Sequence, residues 1–131
     1  HQDGNFFVYL EALDEQGQAH YLTEGMLRAL HRKISNEQPP YKQFVPYHSF
    51  KRKDVQPLLP SQPAELTFGL NPISALLRRG WRLRVSVSGA DQDTFARIPA
   101  EGSPNIEILL GGETASLLEI PLKVRPESQS S

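Results

Sequence analysis

The sequence predicts an all-β chain, an antiparallel β-sandwich, from three observations. Short stretches alternate apolar and polar residues with a period of two. Eleven prolines are scattered along 131 residues and interrupt any long helix. Glycine pairs and Asp/Gly clusters fall between the alternating stretches, where turns are needed.

Residues 81–88 give the clearest strand. Trp81, Leu83, Val85 and Val87 alternate with Arg82, Arg84, Ser86 and Ser88, and Gly80 and Gly89 bracket the run. Residues 64–70 repeat the pattern with Ala64, Leu66, Phe68 and Leu70 on one face. Near the C-terminus, Ile106, Ile108 and Leu110 form one set and Leu118, Ile120, Leu122 and Val124 another. Gly111-Gly112-Glu113-Thr114 is the expected hairpin turn between them, and Pro121 suits an edge or a bulge. Residues 6–13 are apolar on both faces, as a central strand covered from both sides would be. The turn 14–18 leads from it to a partner strand over residues 19–24. Each apolar side chain that such faces bury contributes about 1.5–3 kcal/mol.

Elsewhere helical turns are expected. Met26, Leu27, Leu30 and Ile34 fit a helical face, although Gly25 stands at its start and no capping box precedes it. Residues 74–79 suit a single turn after Pro72, stopped by Gly80. Residues 35–63, rich in proline and polar groups, read as a long ordered loop crossing between sheets. The polar tail, residues 125–131, is expected to be disordered.

Composition narrows function. The formal net charge is -1, with no basic stripe for nucleic acid and no apolar run of membrane-spanning length. No cysteine is present, which removes disulfides, thiol nucleophiles and thiolate metal sites. The first residue is His1, so the chain reads as a piece of a longer parent, with any leader upstream. The compartment stays open, with the cytoplasm favoured.

Catalytic signals are sparse. A serine nucleophile on a strand-turn-helix elbow needs Gly-x-Ser-x-Gly, and none occurs. Ser86 and Ser88 fall on the outward face of a strand. His1, His20, His31 and His48 form no metal-like pair. Asp91 and Asp93 read as Asx turns rather than a calcium loop, because no further acidic ligand follows at the required spacing. Arg28 and Arg32 with Glu24 suggest a structural ion-pair cluster, and Lys51-Arg52-Lys53 a solvated turn. No catalytic residue, metal ligand or cofactor is expected. The one candidate face is polar-aromatic: Tyr41, Phe44, Tyr47, His48 and Phe50. Rings with polar tips suit a ligand or a neighbouring domain, and they equally suit pinning a loop onto the sheet.

Taken in order, these segments resemble the C-terminal domain of the X-Pro dipeptidyl-peptidase, cocaine esterase and α-amino-acid ester hydrolase family. The likeness rests on Phe7-Val8-Tyr9-Leu10 with Asp14 and Gly17, on residues 21–29 with His31-Arg32-Lys33, and on Pro46-Tyr47-His48-Ser49-Phe50. Pro63-Ala64-Glu65-Leu66, residues 80–91 and Gly111-Gly112 with Ser116, Leu118, Pro121 and Leu122 complete it. It covers residues 3–124. The resemblance implies a jelly roll similar to galactose-binding domains. It implies that catalysis sits in a preceding α/β-hydrolase domain with a Ser-Asp-His triad, on which the jelly roll packs and whose substrate cleft it helps to wall. It also implies that residues 25–33 are extended or irregular rather than helical. No triad residue carries over to this chain, and Trp81 stands where many members have histidine.

The expected unit is therefore residues 1–124, a partial C-terminal sandwich without the domain's first strands. Such a unit leaves a sheet edge and an apolar face open, so self-association or strand exchange is expected. The alternative from another functional class is a jelly roll that binds carbohydrate or another small ligand, with Tyr41 and Tyr47 as its platforms. A plain assembly domain that joins subunits is the third reading.

Overall fold

The computed structural model describes residues 2–40, 45–90, 100–102 and 105–126. Within them the chain is built on strands. Three antiparallel strands form one sheet in the order β2-β1-β3: β1 (Asn5–Leu13), β2 (Ala19–Arg28) and β3 (Arg82–Ser88). The remaining regular structure consists of short 3-10 turns at Ala29–His31, Arg52–Asp54 and Gly112–Thr114. The all-β class and the antiparallel pairing are thus as the sequence predicts.

β1 is central because its side chains can be buried on both faces. Val8, Leu10 and Ala12 lie opposite Val87, Val85 and Leu83 of β3, so the two alternating sets share one face. The other face carries Phe7, Tyr9 and Glu11 opposite Ser88, Ser86 and Arg84. Buried residues occur on both: Phe7 on the second face, Leu10 and Ala12 on the first. Glu11 accepts from Arg84 at 2.8 Å and from Ser86 at 3.3 Å, and the Arg84 contact holds the Glu11 carboxyl below its ordinary range. Ser86 therefore belongs to this strand-to-strand network.

The turn between β1 and β2 follows from Asp14 and Gly17. The Asp14 carboxylate accepts from the backbone N–H groups of Gln16 and Gln18, and Gly17 takes φ 80°, a conformation glycine reaches cheaply. At the start of β2, His20 Nε2 lies 2.9 Å from Asp14, which draws the Asp14 carboxyl below its usual value. The His20 ring stacks on Trp81, with centroids 5.0 Å apart. One irregularity interrupts β2: Leu10 pairs with Thr23 and Glu11 with Tyr21, so Leu22 is an extra residue, a β-bulge.

Several expectations are corrected. The helical face over Met26, Leu27, Leu30 and Ile34 does not form. β2 continues through Arg28, Leu27 is buried opposite Phe6, and only Ala29–His31 turns. The extended, irregular form implied by the resemblance is the one observed. Residues 74–78 make no helical turn; the chain turns at 79–80 into β3. Residues 64–70, 106–110 and 118–124 keep their alternation without forming hydrogen-bonded strands. A ladder needs a partner, and among the described residues the first of them meets β2 by one backbone bond, from the Asn71 N–H just past its end to Glu24. The Arg28, Arg32 and Glu24 cluster is absent. Arg28 pairs with Asp3 at 2.7 Å, Glu24 accepts from the Tyr21 hydroxyl, and Arg32 donates to the Ala29, Gln56 and Pro57 carbonyls.

A backbone bond from Ser35 to Tyr47 closes the loop 35–63 on itself, and bonds from Gln56 to Leu30 and Leu58 to Gln2 tie it to the segments that flank the sheet. Lys51 and Lys53 both pair with Glu37, as a solvated basic turn would. The C-terminal part is open by contrast. A folded chain of this mass is expected to expose roughly 6,900 Å², whereas this one exposes 10810 Å². Leu110, Leu117 and Val124 are each more than four-fifths exposed. Among the described residues no second sheet covers the first.

One close approach fixes the outer side of β2. A Cβ on Gly25 would lie 2.6 Å from the Gly69 carbonyl oxygen and 2.9 Å from Leu70 Cδ2. Gly25→Ala must push back a backbone carbonyl, so it is expected to cost about 1–3 kcal/mol, read as a lower urea midpoint with an unchanged slope.

Candidate functional site

The polar-aromatic segment is described from Val45 onward; Tyr41, Phe44, Asp91 and Asp93 lie outside the described residues. The structure brings Tyr47, His48 and Phe50 together with groups distant in sequence. His48 is buried at 7% exposure, and both of its ring nitrogens face carbonyl oxygens: Nδ1 lies 3.1 Å from that of Lys33, Nε2 2.8 Å from that of Thr67. A ring carrying two protons donates to both; a neutral ring donates to one. Either way His48 is a clasp between the end of the β2 region and residues 64–70.

Phe50 projects from that clasp. Its φ is 56°, in the left-handed region that few bulky residues occupy, and the residue is 62% exposed. The ring is bracketed by His31, edge-on at 5.1 Å, and by His48, tilted at 6.4 Å. Beneath it Ser49 donates to Asp54 at 2.5 Å, and Lys33 pairs with the same carboxylate at 2.8 Å. The Lys33 ion pair, then the Ser49 bond, hold the Asp54 carboxyl below its ordinary value. An aromatic ring is thus displayed on a braced, strained loop.

Tyr47, His48 and Phe50 are legible in the sequence but their supports are not. His31 stands out as one of four unpaired histidines and within the family-like His31-Arg32-Lys33, with no sign that it meets Phe50, and nothing in the sequence ties Thr67 to His48. The His31 Nδ1 is buried without a hydrogen-bond partner among the described residues.

Chemically the cluster holds no nucleophile, base and carboxylate in a relay. The Ser49 hydroxyl donates its hydrogen bond to Asp54, and the His48 nitrogens are both directed at backbone carbonyls. Two open depressions adjoin the loop, one of about 440 Å³ lined by residues including Arg32, Lys33 and Thr67, the other of about 310 Å³ bordered by Glu37, Lys53 and Asp54. The charged groups along them are paired with one another, with backbone or, for Glu65, with the Thr67 hydroxyl. Among the described residues no helix is long and apolar enough to cross a membrane.

Comparison with known proteins places this strand-built, relay-free surface in a class. The family described as the X-Pro dipeptidyl-peptidase C-terminal non-catalytic domain matches residues 1–119. The chain belongs to that family. Two relatives are 44% identical over 120 residues, 92% of this chain: "Putative serine esterase Mb1866c" of Mycobacterium bovis and "Putative serine esterase MT1883" of Mycobacterium tuberculosis. The chain spans 19% of the length of each. No solved structure matches.

Proposed function

We propose that this chain is the non-catalytic C-terminal domain of a serine α/β-hydrolase of the acyl esterase or X-Pro dipeptidyl-peptidase type, packing on the catalytic domain and helping to shape its substrate cleft. The observation that carries the reading is the family match over residues 1–119, in a chain that spans about a fifth of the serine esterase relatives. The interdomain face is the Tyr41, Phe44, Tyr47, His48 and Phe50 segment. An exposed aromatic on a braced, strained loop is the kind of anchor around which domain interfaces form. Self-association through an open sheet edge accompanies this reading.

The test is hydrolysis of p-nitrophenyl acetate and of an Xaa-Pro p-nitroanilide by the chain alone, then by the chain mixed with the upstream portion of its parent. The expected result is silence alone and activity that appears or rises on mixing. Phe50→Ala is expected to weaken that rise. Turnover by the isolated chain, abolished by a serine-reactive phosphonate, would overturn the reading.

A further inference from the structure

Both ring nitrogens of His48 point at hydrogen-bond acceptors, the Lys33 carbonyl 3.1 Å from Nδ1 and the Thr67 carbonyl 2.8 Å from Nε2. Only an imidazolium has a proton for each. A neutral tautomer of either kind sets an unshared pair against a carbonyl oxygen, in a residue that is 7% exposed. The two carbonyls belong to different parts of the fold. Lys33 lies just beyond the Ala29–His31 turn at the end of β2, and Thr67 lies in the segment 64–70. Phe50 sits across the same seam. One of the rings against it, His31, belongs to the β2 side, and the other, His48, to the loop.

We infer that His48 is a proton-operated clasp. Charged, it ties the loop to both Lys33 and Thr67 and keeps Phe50 between its two histidines. Neutral, it keeps the shorter bond to Thr67, releases Lys33 and opens the bracket on the His31 side. The direction follows from the bond that needs the second proton. That bond is made in acid and lost as pH rises through the range of about 5 to 8 in which histidine changes charge, so the Lys33 tie weakens toward alkali. Among the described residues no cation is aimed at the ring. Lys33 reaches Asp54, Lys51 and Lys53 reach Glu37, Arg32 donates to the Ala29, Gln56 and Pro57 carbonyls, and Arg52 is exposed. The carboxylates tied to the same segments are Asp54, held below its ordinary value by Lys33 and then Ser49, and Glu65, which accepts from the Thr67 hydroxyl. Burial disfavours a charge, but here two carbonyl dipoles and two carboxylates meet it. His31 differs, because its buried Nδ1 has no hydrogen-bond partner among the described residues. Resting on the interdomain reading proposed above, the clasp makes docking through Phe50 stronger in mild acid than in mild alkali.

Nitrogen NMR of the imidazole rings tests the clasp in the chain itself. At about pH 5 both His48 nitrogens are expected to carry a proton, and at about pH 8 Nε2 alone. Cross-relaxation between the His31 and Phe50 rings, whose centroids lie 5.1 Å apart, is expected at the lower pH and lost at the higher. His31 is read on its own resonances, so its titration is not mistaken for that of His48. A His48 ring that keeps the same number of protons, one or two, across that range overturns the inference. So does a ring that loses a proton while the His31 to Phe50 contact stays unchanged. Docking is read separately, as the activity gain on mixing with the upstream portion of the parent, divided by the gain with Phe50→Ala at the same pH. The division cancels the pH dependence of the catalytic groups, and the ratio is expected to fall toward one as His48 loses its proton. A ratio that stays constant while the ring titrates overturns the pH dependence of docking. Absence of any gain at any pH overturns the hydrolase reading instead, and the ring measurement still decides the clasp.

Discussion

Phe7→Ala is expected to lower the unfolding free energy by about 3–5 kcal/mol. Phe7 is 1% exposed, sits in the central strand and is one of the two largest fully buried side chains. Its neighbours across the ladder are Met26 and Ser88, and neither is shaped to fill the space of a ring. Removing it takes away apolar burial and leaves a cavity that strands pinned on both sides cannot close. Urea unfolding followed by circular dichroism checks the expectation. The loss should fall in the midpoint, with the slope preserved. It is large against the 5–15 kcal/mol that hold most domains folded. A cost under about 1 kcal/mol would mean that this face is as open as the one carrying Val85 and Val87.

His48→Leu is the second large effect. Leucine fills much of the ring's volume but donates no hydrogen bond, so the Lys33 and Thr67 carbonyls, 3.1 and 2.8 Å from the ring nitrogens, lose their protein partner. A neutral ring donates to only one of these carbonyls, and Lys33 and Thr67 are both at least partly exposed, so a cost of about 1–3 kcal/mol is expected. His48→Asn, with one donor group, should fall between leucine and the native residue. Hydrogen exchange locates the effect: the Ser35 amide, which bonds to the Tyr47 carbonyl, should lose protection, while the amides of β1 keep theirs. Loss of protection in β1 as well would mean that the clasp and the sheet unfold as one unit.

The two strands easiest to read were β1, apolar on both faces because it lies between two neighbours, and β3, whose Leu83, Val85 and Val87 alternate with polar residues and stand opposite Ala12, Leu10 and Val8. The second half of β2 misled because Met26, Leu27, Leu30 and Ile34 also satisfy a 3.6-residue period, and only pairing with β1 decides between the two. Pattern alone was insufficient for residues 64–70, 106–110 and 118–124, where alternation is present and a partner ladder is not. At the candidate site the chemistry of Tyr47, His48 and Phe50 was legible as polar-tipped aromatics. What holds them was not, because His48 is fixed by carbonyls, which every residue carries. The left-handed backbone of Phe50 was likewise unmarked, since no glycine or asparagine signals it.

The stack of His20 on Trp81 has a spectroscopic consequence. Trp81 is the sole tryptophan, so intrinsic emission excited at the indole band has a single origin. That origin lies where the first residues of β2 and the approach to β3 meet across the end of β1, with Asp14 beside the imidazole. Separation of the outer strands from the central one parts the two rings, and the emission then reports on that one end of the sheet. Circular dichroism averages over all three strands. Any difference between the two signals during unfolding is a direct reading of whether the sheet opens from its Trp81 end or as a whole.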